Sequence, residues 1–196
     1  MDLEGAKNYI VTRLGKELSP TLYYHTLEHT IDVLDNVIRL CHCEKTDKEL
    51  GRIIQTAALF HDAGMIVRYD EHEAVSVEIA RKILPQFLYS PEQIDLVSDL
   101  ILVTKLPQRP KTRAEEIICD ADLDNLGRQD FFIHSFRLKL EWELNGILTC
   151  DLEEWFHNQV KFLEDHKFFT AEALSTRQAK KMQNLTEIKN IIQDRS

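Results

Sequence analysis

Apolar residues recur every three or four positions along almost the whole chain, and this period constrains the fold more than any other feature. Leu27, Ile31, Leu34, Ile38 and Cys41 repeat in this way, which places them on one face of an α-helix. No segment of convincing length alternates apolar and polar residues as a strand would. The six glycines and five prolines are too few for a turn-rich sandwich or barrel. The sequence therefore predicts an all-α fold.

The residues between the periodic segments predict where the helices begin and end. Thr46 and Glu49 have the spacing of a capping box, and Ser90 followed by Pro91 predicts another capped start. The predicted helices are one that ends before Ser19, then about 22–43, one from Thr46 to near Gly64, and about 71–84, 91–106, 113–126, 130–145, 151–165 and 170–192. No repeat or low-complexity linker interrupts the chain. We expect a single domain over 1–196, with a loop at 107–112 near the mouth of any active site.

The bulk properties exclude some classes of partner. A formal net charge of −9 disfavours binding to a nucleic acid polymer, which requires clustered Lys and Arg. No apolar run approaches the ~20 residues of a membrane span, and the first ten residues lack an apolar signal core. The four cysteines form no CxxC pair, as is typical of reduced thiols. A cytoplasmic protein is predicted, and the sequence leaves its oligomeric state open, a homodimer included.

Three predicted helices each carry polar residues at positions that continue an apolar stripe. His61 and Asp62 each follow a buried-face alanine by four residues, and Asp122 lies four after Ile118. His29 extends the stripe of its own helix toward the amino terminus. A carboxylate in the interior is costly unless something cationic compensates it. Each residue also has an ordinary interpretation: a histidine that only packs, a helix cap, or an aspartate paired with a buried arginine.

Taken together, two imidazoles and two carboxylates form a mixed nitrogen and oxygen set. Such a set suits Mn, Fe, Co, Ni, Zn or Mg. It would leave coordination positions for water and substrate, which a catalytic site requires. The pattern therefore predicts a divalent metal site within about 22–127, with helices 130–192 packed on it.

Three segments in this order, YHTLEHT, AALFHDAG and DADLDNLG, resemble the H…HD…D signature of the HD superfamily of metal-dependent phosphohydrolases. The segment DEHEAVSVEIA resembles the helix that follows HD in many members, and the likeness is greatest to small single-domain members. The resemblance implies metal ligands His29, His61, Asp62 and Asp122 in an interhelical cleft. It also implies hydrolysis of a phosphomonoester or phosphodiester of a small metabolite, often a nucleotide.

The resemblance further implies roles for residues near the metal. Asp62 would orient or deprotonate the attacking water, while His72 or Glu73 would assist proton transfer or protonate the leaving group. Two solvated residues at a helix start are the alternative for His72 and Glu73. His25 is either a ligand or a support for one. His72 resembles the third histidine of binuclear members, but the absence of a His pair in LILVTKLPQRPKT and of a GYP motif favours one metal per chain.

The remaining residues carry weaker expectations. Arg68, Lys105 and Arg109 are candidates for phosphate contacts, although charged loop residues are usually only solvated. Asp120 and Asp124 are predicted to be solvated, with Asp120 able to hold a supporting hydrogen bond. The later aromatic residues are expected to pack in the core: Phe131, Phe132, Phe136, Trp142, Trp155, Phe156 and Phe162. Two other functions stay open, namely a non-catalytic HD module that binds a nucleotide or protein partner and a di-iron oxygenase of the HD type.

Overall fold

The computed structural model describes residues 1–193, which form α-helices joined by loops and one-turn 3-10 helices, without a β-strand in that range. The all-α prediction is confirmed. The helices are α1 Leu3–Glu17, α2 Leu27–Cys43, α3 Lys48–Phe60, α4 His72–Ile83, α5 Pro91–Leu102, α6 Arg113–Asp122, α7 Phe131–Leu144, α8 Leu152–Asp165, α9 Ala171–Thr176 and α10 Gln178–Gln193. None of the helices within residues 1–193 combines the length and the hydropathy of a membrane-spanning segment.

Two groups of buried apolar side chains hold these helices together. The first runs from Leu3 to Ala121 and joins α1 to α6. The second runs from Leu123 to Ile188 and joins the 3-10 turn Asp124–Gly127 to the later helices. Their boundary falls at the end of α6, directly beside Asp122. The single-domain organisation over 1–196 stays a prediction, and residues 194–196 lie outside the described range.

The packing of α2, α3 and α6 places the polar stripe residues in one region. α2 packs against both α3 and α6, and α3 also contacts α6. The buried face of α2 continues from His29 through Val33, Val37 and Leu40, as its spacing predicts. The start of α2, the end of α3 and the end of α6 therefore meet at one side of the first core.

Several predicted boundaries were wrong for local reasons. Asp47, and not Thr46, caps α3, because its carboxylate accepts hydrogen bonds from the backbone N–H groups of Glu49 (2.8 Å) and Leu50 (3.2 Å). α2 begins at Leu27 and not near residue 22, since the Thr26 hydroxyl caps it. The capping box of Ser90 at the start of α5 is confirmed. The predicted helix 170–192 is broken at Arg177 into α9 and α10.

Asp120 and Asp124 are buried, so their predicted solvation was wrong. The Asp120 carboxylate accepts backbone hydrogen bonds from Phe169 (3.0 Å) and Thr170 (2.7 Å). Asp124 pairs with Arg39 and with Arg177. The face of α6 that seemed free is covered by the segment around α9, a long-range contact that helical spacing does not reveal.

The later aromatic residues divide between core and cavity. Trp155, Phe156 and Phe131 are buried, as predicted, and Phe131 also lines the cavity described below. Phe136 is 43% exposed, so its assignment to the core was wrong.

Candidate metal centre

His29, His61, Asp62 and Asp122 converge in a buried cluster. The Nε2 atom of His29 lies 3.3 Å from Asp122 Oδ1 and 3.6 Å from Asp62 Oδ2. The Nε2 atom of His61 lies 3.1 Å from Asp62 Oδ2 and 3.5 Å from Asp122 Oδ1. Two imidazole nitrogens and two carboxylate oxygens thus face one another, and side chains that start on three separate elements share one small volume.

The spacing and chemistry of these atoms fit a divalent cation. Ligand atoms held at ~2.1 Å from one cation lie about 3.0–3.4 Å from each other, close to the observed separations. His61 Nε2 and Asp62 Oδ2 are buried and make no hydrogen bond to a residue within 1–193. His61 Nδ1 donates to the carbonyl oxygen of Ala58 at 2.8 Å, so Nε2 is the nitrogen that a cation would bind, in place of the proton that the carboxylates otherwise favour there. A histidine fixed in this way is typical of a metal ligand.

The electrostatics of the cluster favour positive charge. Burial by itself would raise the pKa of Asp62, but His61 and His72 hold it well below the ordinary value. Burial would likewise raise the pKa of Asp122, but His29 and His61 lower it to about 2. Burial would lower the pKa of His61, and the two carboxylates raise it well above 6.5 instead. Both carboxylates therefore stay ionised, as metal ligands must be.

Local sequence explains why Asp62 and His72 come close. Asp62 follows α3 directly and begins the 3-10 turn Ala63–Ile66, which carries Gly64 up to the start of α4. A Cβ at Gly64 would lie 2.0 Å from the carbonyl oxygen of His72, so only glycine permits this approach. The Gly64 N–H also donates to Ser76 Oγ at 2.8 Å. The glycine of AALFHDAG is thus a packing requirement that brings α4 to the site.

His72 and Glu73 lie at the site and are not solvated. His72 Nε2 is 3.3 Å from Asp62 Oδ1 and 3.8 Å from Glu73 Oε1. Candidate ligand atoms of His25, Asp62 and His72 lie within 4.8 Å of one another, as do those of His29, His61 and Asp122. Asp62 therefore faces two groups of side chains through its two oxygens.

Glu141 is a site residue that the sequence did not indicate. Its side chain is fully buried, and Oε2 accepts backbone hydrogen bonds from Tyr23, Tyr24 and His25 at 2.8, 2.7 and 3.0 Å. Oε1 accepts hydrogen bonds from His25 Nδ1 and from the Tyr69 hydroxyl, the latter at 2.8 Å. Glu141 therefore orients the His25 ring. Its signal in the sequence is weak, because a glutamate three after Leu138 is equally common on a solvated helix.

Gln108 is a second residue that motif reasoning missed. Its Nε2 donates to Asp122 Oδ2 at 3.0 Å, which leaves Oδ1 facing the two histidines. It belongs to the loop 107–112, so the predicted position of that loop beside the site is confirmed. The suggested phosphate-binding residues Arg68, Lys105 and Arg109 do not reach the cavity, and Lys105 pairs with the exposed Glu71 at 2.6 Å.

A cavity of about 280 Å³ opens from the cluster. Asp62, His72 and Asp122 contribute to one part of its wall, and side chains of α7 and α8 contribute to another. The buried His/Asp cluster is therefore accessible to a small ligand, as a catalytic site must be.

The comparisons with known proteins agree with this architecture. A family model described as "HD domain" matches residues 26–124, about half of the chain. An uncharacterised protein of Clostridium beijerinckii is 33% identical over 81 residues, which are 40% of this chain and 51% of that protein. The match thus spans about half the length of this relative. The crystal structure of Bacillus subtilis YpgQ in complex with ADP has the same fold, with a TM-score of 0.68, 20% identity, and coverage of 99% of this chain and 97% of that one.

Proposed function

The chain belongs to the HD domain family, and from that premise we propose that it is a metal-dependent phosphohydrolase. Its substrate would be a phosphomonoester or phosphodiester of a small metabolite, with a nucleotide as the leading candidate. One observation carries the proposal: two histidines and two ionised aspartates form one buried cluster, with unpaired buried atoms on His61 and Asp62, and both aspartates line a ligand-sized cavity. The fold relative YpgQ binds ADP, which supports the choice of a nucleotide.

We assign the metal to His29, His61, Asp62 and Asp122. A divalent cation bound there would neutralise charge on a phosphoryl oxygen and make water acidic enough to attack at neutral pH. The donor set admits Mn, Fe, Co, Ni, Zn or Mg. Gln108 would hold Asp122 in its orientation, and Ala58 would fix the tautomer of His61.

The proton chemistry falls to residues at the cavity wall. Asp62 Oδ2 faces the histidine pair, while Oδ1 faces His72, so Asp62 can orient an attacking water and accept its proton. The Nδ1 atom of His72 donates to the Tyr69 carbonyl at 3.0 Å, which leaves Nε2 to exchange a proton with Asp62. Glu73 lies beside His72 and lines the same cavity. His72 and Glu73 are thus the candidates to protonate the leaving group.

A phosphate-release screen of the purified, metal-loaded protein tests this proposal. Nucleotides, sugar phosphates and aryl phosphates would each be offered with Mn²⁺, Mg²⁺, Zn²⁺, Co²⁺, Ni²⁺ and Fe²⁺. We expect release from at least one class, with loss of turnover after chelation and in Asp62→Ala. Stoichiometric metal without phosphate release from any class would favour a non-catalytic HD module that binds a nucleotide or a protein partner.

One observation supports a second candidate function, that of a di-iron oxygenase. A di-iron oxygenase needs further histidine ligands, and His25 and His72 lie with Asp62 in a second candidate ligand group. The Nδ1 atom of His25 is engaged by Glu141, an arrangement typical of metal-binding histidines. Two irons per chain, together with consumption of O₂, would support this alternative over the single-metal hydrolase.

A further inference from the structure

The outer face of α7 is apolar and exposed. The residues on it stand three or four positions apart, and each is between 40% and 58% exposed: Ile133, Phe136, Leu140 and Leu144. The opposite face of the same helix carries Leu138 and Trp142, which line the cavity. α7 is therefore apolar on both sides, whereas a surface helix normally presents polar residues to the solvent.

The exposed apolar surface continues just past the end of α7. Gly146, at a φ of 67°, ends the helix, and the N–H of Ile147 donates to the carbonyl oxygen of Trp142 at 2.9 Å. The N–H of Gly146 donates to the carbonyl oxygen of Glu143 at 3.3 Å. These two bonds form a Schellman cap, which holds the exposed Ile147 against the last turn. We call the five exposed residues the α7 stripe: Ile133, Phe136, Leu140, Leu144 and Ile147.

The spacing of the α7 stripe is symmetric about Leu140. Its members are separated by three, four, four and three positions, so the stripe reads alike from either end. In an antiparallel pair of helices about a two-fold axis at Leu140, Phe136 lies opposite Leu144 of the second copy. Ile133 then lies opposite Ile147, and Leu140 lies opposite its own copy. A two-fold interface is isologous, so it needs this kind of self-complementary surface.

The area of the α7 stripe is sufficient for a pair of copies. At about 200 Å² for a large side chain, the exposed fractions of the five residues leave roughly 500 Å² of apolar surface on each copy. Two copies would then bury about 1,000 Å² through the stripe alone, which is the minimum for a specific interface. Interfaces of this size are weak, so we expect a dissociation constant of about 1–100 µM.

The charges around the stripe favour a neutral partner. On α7, which the structure describes throughout, Arg137 is the one charged side chain that is exposed, and Lys139 and Glu143 pair with each other. The chain as a whole has a formal net charge of −9. A nucleic acid or an anionic membrane therefore finds no basic surface here. A second copy offers another neutral, apolar face of the same length.

From these features we infer that the α7 stripe is the interface of a homodimer, in which two antiparallel α7 helices pair about a two-fold axis near Leu140. Because the inner face of α7 lines the cavity, the second copy would support one wall of that cavity from behind. The inference goes beyond the proposed hydrolysis and does not depend on it.

Analytical ultracentrifugation of the full chain and of two charge variants tests the inference. Over about 1–200 µM, the wild type should pass from one chain of 22.9 kDa to twice that mass. Leu140→Glu and Leu140→Lys should each weaken association at least about 100-fold, because like charges would face each other at the axis. An equimolar mixture of the two variants should recover association to within about 10-fold of the wild type, since opposite charges then meet at the axis.

The control is Ile38→Glu on α2, a similarly exposed apolar position, which should associate like the wild type. Circular dichroism and urea unfolding check that each variant is folded. A wild type that stays monomeric at about 200 µM would overturn the inference, and so would a mixture of the two charge variants that stays monomeric. Dimers that persist in each charge variant would overturn it as well, because they would form through another surface.

Co-sedimentation with phosphatidylcholine vesicles separates a second copy from a lipid surface. The dimer covers the stripe, so the wild type should stay in the supernatant at concentrations where it is dimeric. Binding of the wild type to these vesicles that is lost in Leu140→Glu and kept in Ile38→Glu would overturn the inference in favour of a membrane contact.

Discussion

Glu141→Gln changes a single atom of a side chain that five hydrogen-bond donors surround. Both carboxylate oxygens accept only: Oε2 from three backbone N–H groups, and Oε1 from the ring of His25 and the hydroxyl of Tyr69. An amide nitrogen in place of either oxygen would point its N–H groups at side-chain and backbone groups that are themselves hydrogen-bond donors. If it replaces Oε1, the Tyr69 hydroxyl can rotate to accept, but the His25 N–H loses its partner.

The expected loss of stability in Glu141→Gln follows from these hydrogen bonds. A hydrogen bond to a charged group contributes about 1.5–3 kcal/mol, and an unpaired buried donor costs about 1–3 kcal/mol. The two effects overlap, so we expect Glu141→Gln to lower the free energy of unfolding by about 3 kcal/mol. With a urea slope of about 1–3 kcal/mol per molar, the midpoint of urea unfolding should fall by at least about 1 M.

The matched control is Glu143→Gln on the same helix. Glu143 pairs with Lys139 at a partly exposed position, and such pairs contribute about 0–1 kcal/mol. Burial alone would raise the pKa of Glu141, but His25 and the backbone N–H groups lower it below 4.5. The carboxylate's contribution is therefore complete above pH 4.5 and is lost as the pH falls below it, so the difference between wild type and Glu141→Gln should shrink in acid. A Glu141→Gln protein within about 0.5 kcal/mol of wild type at pH 7 would refute this account of the clamp.

Three further predictions concern the surroundings of the site. Gly64→Ala should force the start of α4 away from Asp62, since its Cβ would lie 2.0 Å from the His72 carbonyl oxygen. We expect weaker binding in calorimetric Mn²⁺ titration and a lower free energy of unfolding in urea. Unchanged metal affinity would contradict the packing argument. Asp62→Ala should abolish metal retention and leave the helical circular dichroism nearly intact. Asp120→Ala should instead lower the free energy of unfolding and keep the metal, because the Asp120 carboxylate anchors the backbone before α9. Equal metal loss in both variants would show that the wrong aspartate was assigned. Burial and the charge of Lys181 lower the pKa of His166 to about 3, so the folded state stays neutral there while the unfolded state gains a proton as the pH falls below 6.5. Between pH 7 and pH 5, the free energy of unfolding measured in urea should therefore fall less for His166→Gln than for the wild type. Equal falls in the two proteins would contradict the lowered pKa of His166.

Much of the fold was accessible from sequence because helical periodicity and caps are local signals. The apolar stripe of α2 and the capping box of Ser90 are read from residues a few positions apart. The convergence of His29, His61 and Asp122 could also be anticipated, since each extends the buried face of its own helix. These contacts needed only the assumption that apolar faces pack together.

What the sequence could not reveal depends on partners distant along the chain. Glu141 meets His25 across 116 positions, and Asp120 meets Thr170 across 50. Helical spacing says which face of an element a residue occupies, but not which other element covers that face.

Anomalous diffraction from crystals grown with Mn²⁺ will show whether one divalent cation is held among His29, His61, Asp62 and Asp122. We expect an anomalous peak about 2.0–2.3 Å from Nε2 of both histidines and from one oxygen of each aspartate. A manganese peak bound elsewhere, or no peak at saturating Mn²⁺ with the imidazoles and carboxylates hydrogen-bonded to one another, would contradict it.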